Sequence, residues 1–186
     1  MRLFVISLLA ALSTLTTVGA HGAENDALAV PIDKITALAN QAEVLKLAQK
    51  LDGKIDLDEI FSREDLWMES DSKPTHFLNK SLQYYFEGII QQPGSPIVEL
   101  ILMGSQGETL AAYPLPTDYW QGDESKFINV MADEQTFIDN MAWDESSQTI
   151  SAQVSVPVKD ASGEMFGVLT AGIEASIGAL SILEAQ

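Results

Sequence analysis

The spacing of the apolar residues changes once along this chain, across Gln91-Gln92-Pro93-Gly94-Ser95-Pro96, and that change limits the folds open to it. Before this segment apolar side chains recur at three and four, which gathers them on one side of a helix. After it they alternate or run continuously, as strands do. A turn with two prolines continues neither kind of element, so it separates a helical first part from a sheet-forming second part.

In the first part Ile35, Leu38, Ala39, Ala42, Val44, Leu45, Leu47, Ala48 and Leu51 predict one long amphipathic helix, with Gly53 placed to end it. The acidic run from Asp52 to Glu59 does not fit a calcium loop, because Gly53 comes too early and Lys54 takes a ligand position. It reads as a turn into a short helix, Leu57 to Arg63. Asp65-Leu66-Trp67-Met68 then reads as a tight connection that buries Trp67. Pro74 opens a further helix that carries Phe77, Leu78, Leu82, Tyr85, Phe86, Ile89 and Ile90.

In the second part Ile97 to Met103 and Glu108 to Tyr113 predict a hairpin closed by Gly104-Ser105-Gln106-Gly107. A short helix from Glu124 to Met131 precedes three more strands: Phe137 to Trp143, Thr149 to Val158 and Phe166 to Ile173. In the middle one Ile150, Ala152, Val154 and Val156 alternate with Ser151, Gln153 and Ser155, so one face is buried and the other is wet or lines a pocket. A helix from Ala175 to Ala185 closes the chain. The fold class is α+β: helices first, then a five-stranded antiparallel sheet flanked by helices.

Arg2, the apolar run from Leu3 and Val18-Gly19-Ala20 have the layout of a secretory signal peptide, residues 1 to 20, cleaved after Ala20. Residues 21 to 186 then form a single domain, which is large enough to bury a substantial core. With no cysteine the exported product has neither a disulfide nor a lipidated thiol, and a periplasmic location is expected. Without Arg2 the 10 basic residues fall to 9 against 27 acids, a net charge of about −18. That field opposes nucleic acid and anionic membranes as partners.

The densest functional composition is Thr117-Asp118-Tyr119-Trp120-Gln121-Gly122-Asp123-Glu124, a polar loop with two aromatics between a strand and a helix. Aromatic faces beside fixed carboxylates suit a small-molecule site. The same residues also suit a structural role, with Asp123 as a helix cap, Gly122 as the turn and the two rings as a plug.

The order of elements, together with Leu110-Ala111, the 118–124 loop, Trp143-Asp144-Glu145-Ser146, Val154-Ser155-Val156-Pro157-Val158 with Asp160 and Gly163, and Phe166-Gly167-Val168-Leu169-Thr170-Ala171-Gly172-Ile173, resembles the Cache type of extracytoplasmic, PAS-like (PDC) sensor domain. The resemblance covers essentially all of residues 21 to 186. It implies small-ligand sensing, with Tyr113, Asp118, Tyr119, Trp120, Asp123, Trp143 and Asp144 as contacts. The Arg-x-Trp-Tyr pattern of the amino-acid-binding subgroup is absent, and Asp118-Tyr119-Trp120 stands in that region. An arginine would grip a ligand carboxylate, so its lack favours a neutral or cationic ligand. Relatives continue into a membrane helix and a signalling domain, whereas this sequence stops at Gln186. Signalling through a separate membrane receptor or kinase is therefore expected, with a homodimer through the N-terminal helix as a further expectation.

Two other classes compete with sensing. A protein-interaction module on the same scaffold would have its pocket filled by its own aromatics. An exported enzyme finds little support, because Gly-x-Ser-x-Gly, His-Glu-x-x-His and a phosphate loop are all missing. His21 as a cleaved N-terminus would offer copper only His76 as a second histidine. No catalytic residue, metal or cofactor is assigned.

Overall fold

The computed structural model describes residues 32–139 and 148–174, with the backbone alone at 142–144 and 149. Residues 32–39 form helix α1, and α2 follows at Ala42–Leu51. The single long helix expected from Ile35 to Leu51 is thus two. The Asn40 side-chain amide donates to the Thr36 carbonyl, and Gln41 N–H bonds Leu38 O, one residue short of the helical step. Gln41 itself is extended. A side chain that competes for a backbone carbonyl ends the first helix, and the second restarts after it.

Helix α3 runs Leu57–Glu69, capped by the Asp56 carboxylate on Glu59 N–H. It continues past the expected Arg63, so the predicted connection at 65–68 is helical, with Trp67 fully buried as expected. A 3₁₀ turn, Thr75–Phe77, occupies the place where the next helix was expected to start. That helix, α4, is Lys80–Ile90, capped by Asn79 on Leu82 N–H. Helix α5 is Ser125–Asp133, ended by Glu134 in the left-handed region.

The strands are β1 (Ile97–Gly104), β2 (Thr109–Tyr113), β3 (Phe137–Ile138), β4 (Ala142–Asp144), β5 (Thr149–Lys159) and β6 (Met165–Glu174). Their order is β2-β1-β6-β5-β3, with β4 also on β5, and every pairing is antiparallel. The strand expected over Phe137 to Trp143 is two short pieces, β3 and β4, along one side of β5. The helix expected at Ala175 to Ala185 lies outside the described residues.

The main core fills the space between one sheet face and α1, α2 and α4. Ile35, Leu38, Val44, Leu47, Leu82 and Phe86 meet Leu100, Leu102, Val154, Val156, Leu169 and Ala171 there. On the opposite face Phe127 and Val130 of α5 cover Ile101, Met103, Ala112 and Val168. A satellite core under α3 holds Ile60, Trp67, Leu78 and Tyr119.

Candidate functional site

The loop expected to form the site is fastened to α3. The Glu64 carboxylate accepts both Tyr119 N–H (2.7 Å) and Trp120 N–H (2.8 Å), and the Trp67 indole donates to the carbonyls of Pro116 and Thr117. Tyr119 is buried, its ring 5.9 Å from Trp67 and 5.8 Å from Phe77, with its hydroxyl 3.4 Å from Arg63. Trp120 donates to Gln106 O at 2.8 Å and meets Phe61 edge-on. Both rings are therefore packing groups of the satellite core. Asp118 is half-buried and Asp123 is exposed. Tyr113 packs against the main core, on the helix-covered side of the sheet. Trp143 and Asp144 pair with Ile150 and Thr149 through the backbone of β4, and their side chains lie outside the described residues. Tyr113, Tyr119 and Trp120 are thus divided between two separate cores.

Burial raises the pKa of the Tyr119 phenol, and the nearby Arg63 opposes that shift only in part. The guanidinium of Arg63 also caps the Phe77 ring at 5.0 Å and bonds Glu59 at 2.9 Å. A second buried acid, Glu108, folds back over Gly104 and accepts Gln106 N–H at 3.1 Å, and a Cβ on Gly104 would overlap its carboxylate. Burial raises the Glu108 pKa above its ordinary 4.5, with Asp52 adding to the shift and Arg63 opposing it. A carboxyl whose folded pKa is raised contributes stability below its unfolded pKa and loses it as pH rises through the folded value. Glu108→Gln is therefore expected to match the wild type near pH 4 and to exceed it by about 1 kcal/mol at pH 7. Urea midpoints at the two pH values measure this, and an unchanged gap between them would contradict it.

The other polar cluster lies on the sheet face opposite the N-terminal helices. Register places Glu99, Gly172 and Gln153 in one row across β1, β6 and β5, with Ile101, Thr170 and Ser155 in the next. Glu99, Ser155, Thr170 and Ser151 are all buried. Gln153 Nε2 donates to Glu99 Oε2 at 3.2 Å, and the Ser155 and Thr170 hydroxyls share a 2.7 Å bond. Ser151 is 3% exposed, and its hydroxyl has no hydrogen-bond partner among the described residues. A buried hydroxyl left unpaired costs on the order of 1–3 kcal/mol, so such groups call for an explanation.

A bulge aims the acid into this strip. Ile97 pairs with Ile173 and Glu99 with Gly172, which leaves Val98 as an extra residue in β1. Ile97 therefore points into the main core while Glu99, two residues on, reaches the other face. Gly172 makes room beside it, since a Cβ there would sit 3.1 Å from that of Glu99. Sequence reasoning passed over Glu99. Its one signal was a lone acid inside an otherwise apolar strand. Lys126 is buried at the start of α5 and pairs with Glu124 at 3.1 Å. Among the described residues no group of three or more acids and histidines is arranged to hold a metal, and no helix is long and apolar enough to cross a membrane.

No protein-family model and no curated protein matches the sequence. Solved structures do match by fold. The sensor domain of DcuS from E. coli superposes with a TM-score of 0.53 at 15% identity, over 88% of this chain and 96% of that one. The sensor domain of the V. cholerae histidine kinase DctB matches at 0.41 and 18%, over 84% of this chain and 55% of its own. The ligand-binding domain of the P. aeruginosa amino-acid chemoreceptor PctB, solved with L-Gln, matches at 0.39 and 18%, over 77% and 54%. The chain thus spans little more than half of the latter two. The α+β fold of this chain is thus shared with the DcuS sensor domain, an outcome in keeping with the fold that the sequence resemblance implies.

Proposed function

We propose that this chain is an extracytoplasmic sensor module of the Cache type that binds a small neutral or cationic molecule on the polar strip of its sheet. The observation that carries this reading is the buried Ser151 hydroxyl, without a hydrogen-bond partner among the described residues, in line with Gln153 and the Glu99 carboxylate. A strip that holds an acid and uncharged hydrogen-bonding groups suits an ammonium or a neutral polar ligand better than a carboxylate. Trp143 and Asp144 remain proposed contacts at the margin of this site, because β4 pairs along β5 beside Ser151, whereas the loop of Asp118 and Asp123 is held beside Gly107 and Thr109, at the other end of β1 from Glu99. Tyr113, Tyr119 and Trp120 act in this reading through packing.

In the same proposal residues 1 to 20 direct export to the periplasm, and a membrane receptor or kinase receives the signal. The test is calorimetric titration of small primary amines, amino alcohols and dicarboxylates into the wild type and Glu99→Gln. An amine or neutral ligand is expected to bind, and Glu99→Gln to weaken an amine at least about tenfold, the 1.4 kcal/mol of one modest charge contact. Tight binding of a simple dicarboxylate, indifferent to Glu99→Gln, would overturn the ligand class. Silence from every class would overturn sensing at this strip.

A further inference from the structure

On the other side of the sheet, α2 and α4 leave a groove of about 610 Å³ between them. Its floor is apolar: Leu47 from α2, Leu82 from α4 and the ring of Tyr85, whose hydroxyl donates to Gln41 Oε1 at 2.6 Å and ties the two helices together. One wall carries Lys46 and Lys50, both exposed and one helical turn apart, and among the described residues Glu43 is the only acid lining the groove.

The sign of this rim is out of keeping with the molecule. Residues 32–55 hold four lysines and three acids, whereas residues 56–174 hold five basic residues and twenty-one acids. A basic partner would be drawn to nearly any other part of the chain. An acidic one is repelled elsewhere and meets its complement here. Two neighbouring helices with an apolar trough between them form the seat that a third, amphipathic helix fills, with side chains at i, i+3, i+4 and i+7 as anchors.

We propose that the α2–α4 groove docks an amphipathic helix of a partner protein whose apolar stripe is flanked by carboxylates. The proposal uses none of the residues of the polar strip and stands independently of it. Its contacts are Leu47, Leu82 and Tyr85 against the stripe, and Lys46 and Lys50 against the carboxylates.

Fluorescence anisotropy of the full chain with two labelled, helix-stapled peptides tests it. One peptide has a leucine stripe flanked by glutamates, and the other has the same stripe flanked by lysines. The glutamate peptide is expected to bind, at least about tenfold more tightly than the lysine peptide. Raising the salt should weaken it. Lys46→Glu/Lys50→Glu, at two exposed positions, should reverse the preference and leave the melting temperature near that of the wild type. Equal affinity for the two peptides, no binding of the glutamate peptide, or a double variant that binds as the wild type does would each overturn the proposal. So would sedimentation showing a dimer that the double variant abolishes, since a second copy would then occupy the groove.

Discussion

Trp67→Ala is expected to cost about 3–5 kcal/mol, the usual range for deleting a fully buried large aromatic. The side chain is 0% exposed and serves two structures at once. Its rings pack against Tyr119 in the satellite core, and its indole N–H holds the carbonyls of Pro116 and Thr117 at 3.2 and 3.0 Å. Lys73 completes the tie, donating to the carbonyls of Trp67 and Thr117 and lying 5.6 Å from the Trp67 ring. Truncation opens a cavity and frees the loop that α3 holds, so both terms add. At about 2–4 °C per kcal/mol for a domain of this size, the melting point should fall by roughly 6–20 °C. Trp67→Phe keeps most of the volume and loses the indole donor, and should fall in between. A Trp67→Ala variant within 2 °C of wild type would mean that α3 contributes little to the fold.

Gly167→Ala should be comparably damaging for a different reason. Gly167 sits inside β6, opposite Gly104 on one side and Val158 on the other, with φ at +154°. A Cβ at this position would overlap the Met103 carbonyl oxygen and approach the Gly104 Cα to 3.3 Å. Both obstacles are backbone atoms of β1, which is itself paired on both edges, so neither can move without shearing the sheet. Strain and overpacking together suggest a loss of about 3 kcal/mol or more. Gly163→Ala supplies the control. That glycine also has positive φ, +88°, but a Cβ there meets nothing within 4 Å. Its cost should stay near 1 kcal/mol, the conformational part alone. Equal urea midpoints for the two variants would show that the clash is relieved by a small shift of strands.

Most of the architecture could be read in advance because it depends on period. The switch across Pro93 to Pro96, the hairpin around Gly104 to Gly107 and the two-faced pattern of β5 all follow from where apolar side chains recur. Two misjudged helices show the limit of that reading. The step from Ala39 to Val44 is five residues long, and it was hidden because Ala42, which is exposed, filled the gap. In α3, Leu66 and Met68 are exposed beside the buried Trp67, so three consecutive apolar residues masked the helical spacing. The candidate site was harder to read for another reason. Tyr119 and Trp120 have the composition of a binding loop, but α3 reaches over them and turns them into core. Glu99 owes its position to one extra residue in a strand, and a bulge leaves no mark in hydrophobic periodicity.

The aromatic loop also bears on whether copies of this chain can stack sheet to sheet. Thr109 N–H bonds Tyr119 O and Gln121 N–H bonds Gly107 O, so residues 119–121 lie beside the entry into β2, and farther along Asn79 N–H and the Gln83 amide donate to Leu110 O and Ala112 O. At the far side β3 and β4 are two and three residues long and arrive as separate pieces on β5. Neither margin therefore offers a long, flat, unpaired row of backbone groups for another chain to extend. Releasing the 119–121 segment by breaking its hold on Glu64 would uncover the start of β2. The first consequence would be self-association between unfastened molecules, ahead of any loss of the fold itself.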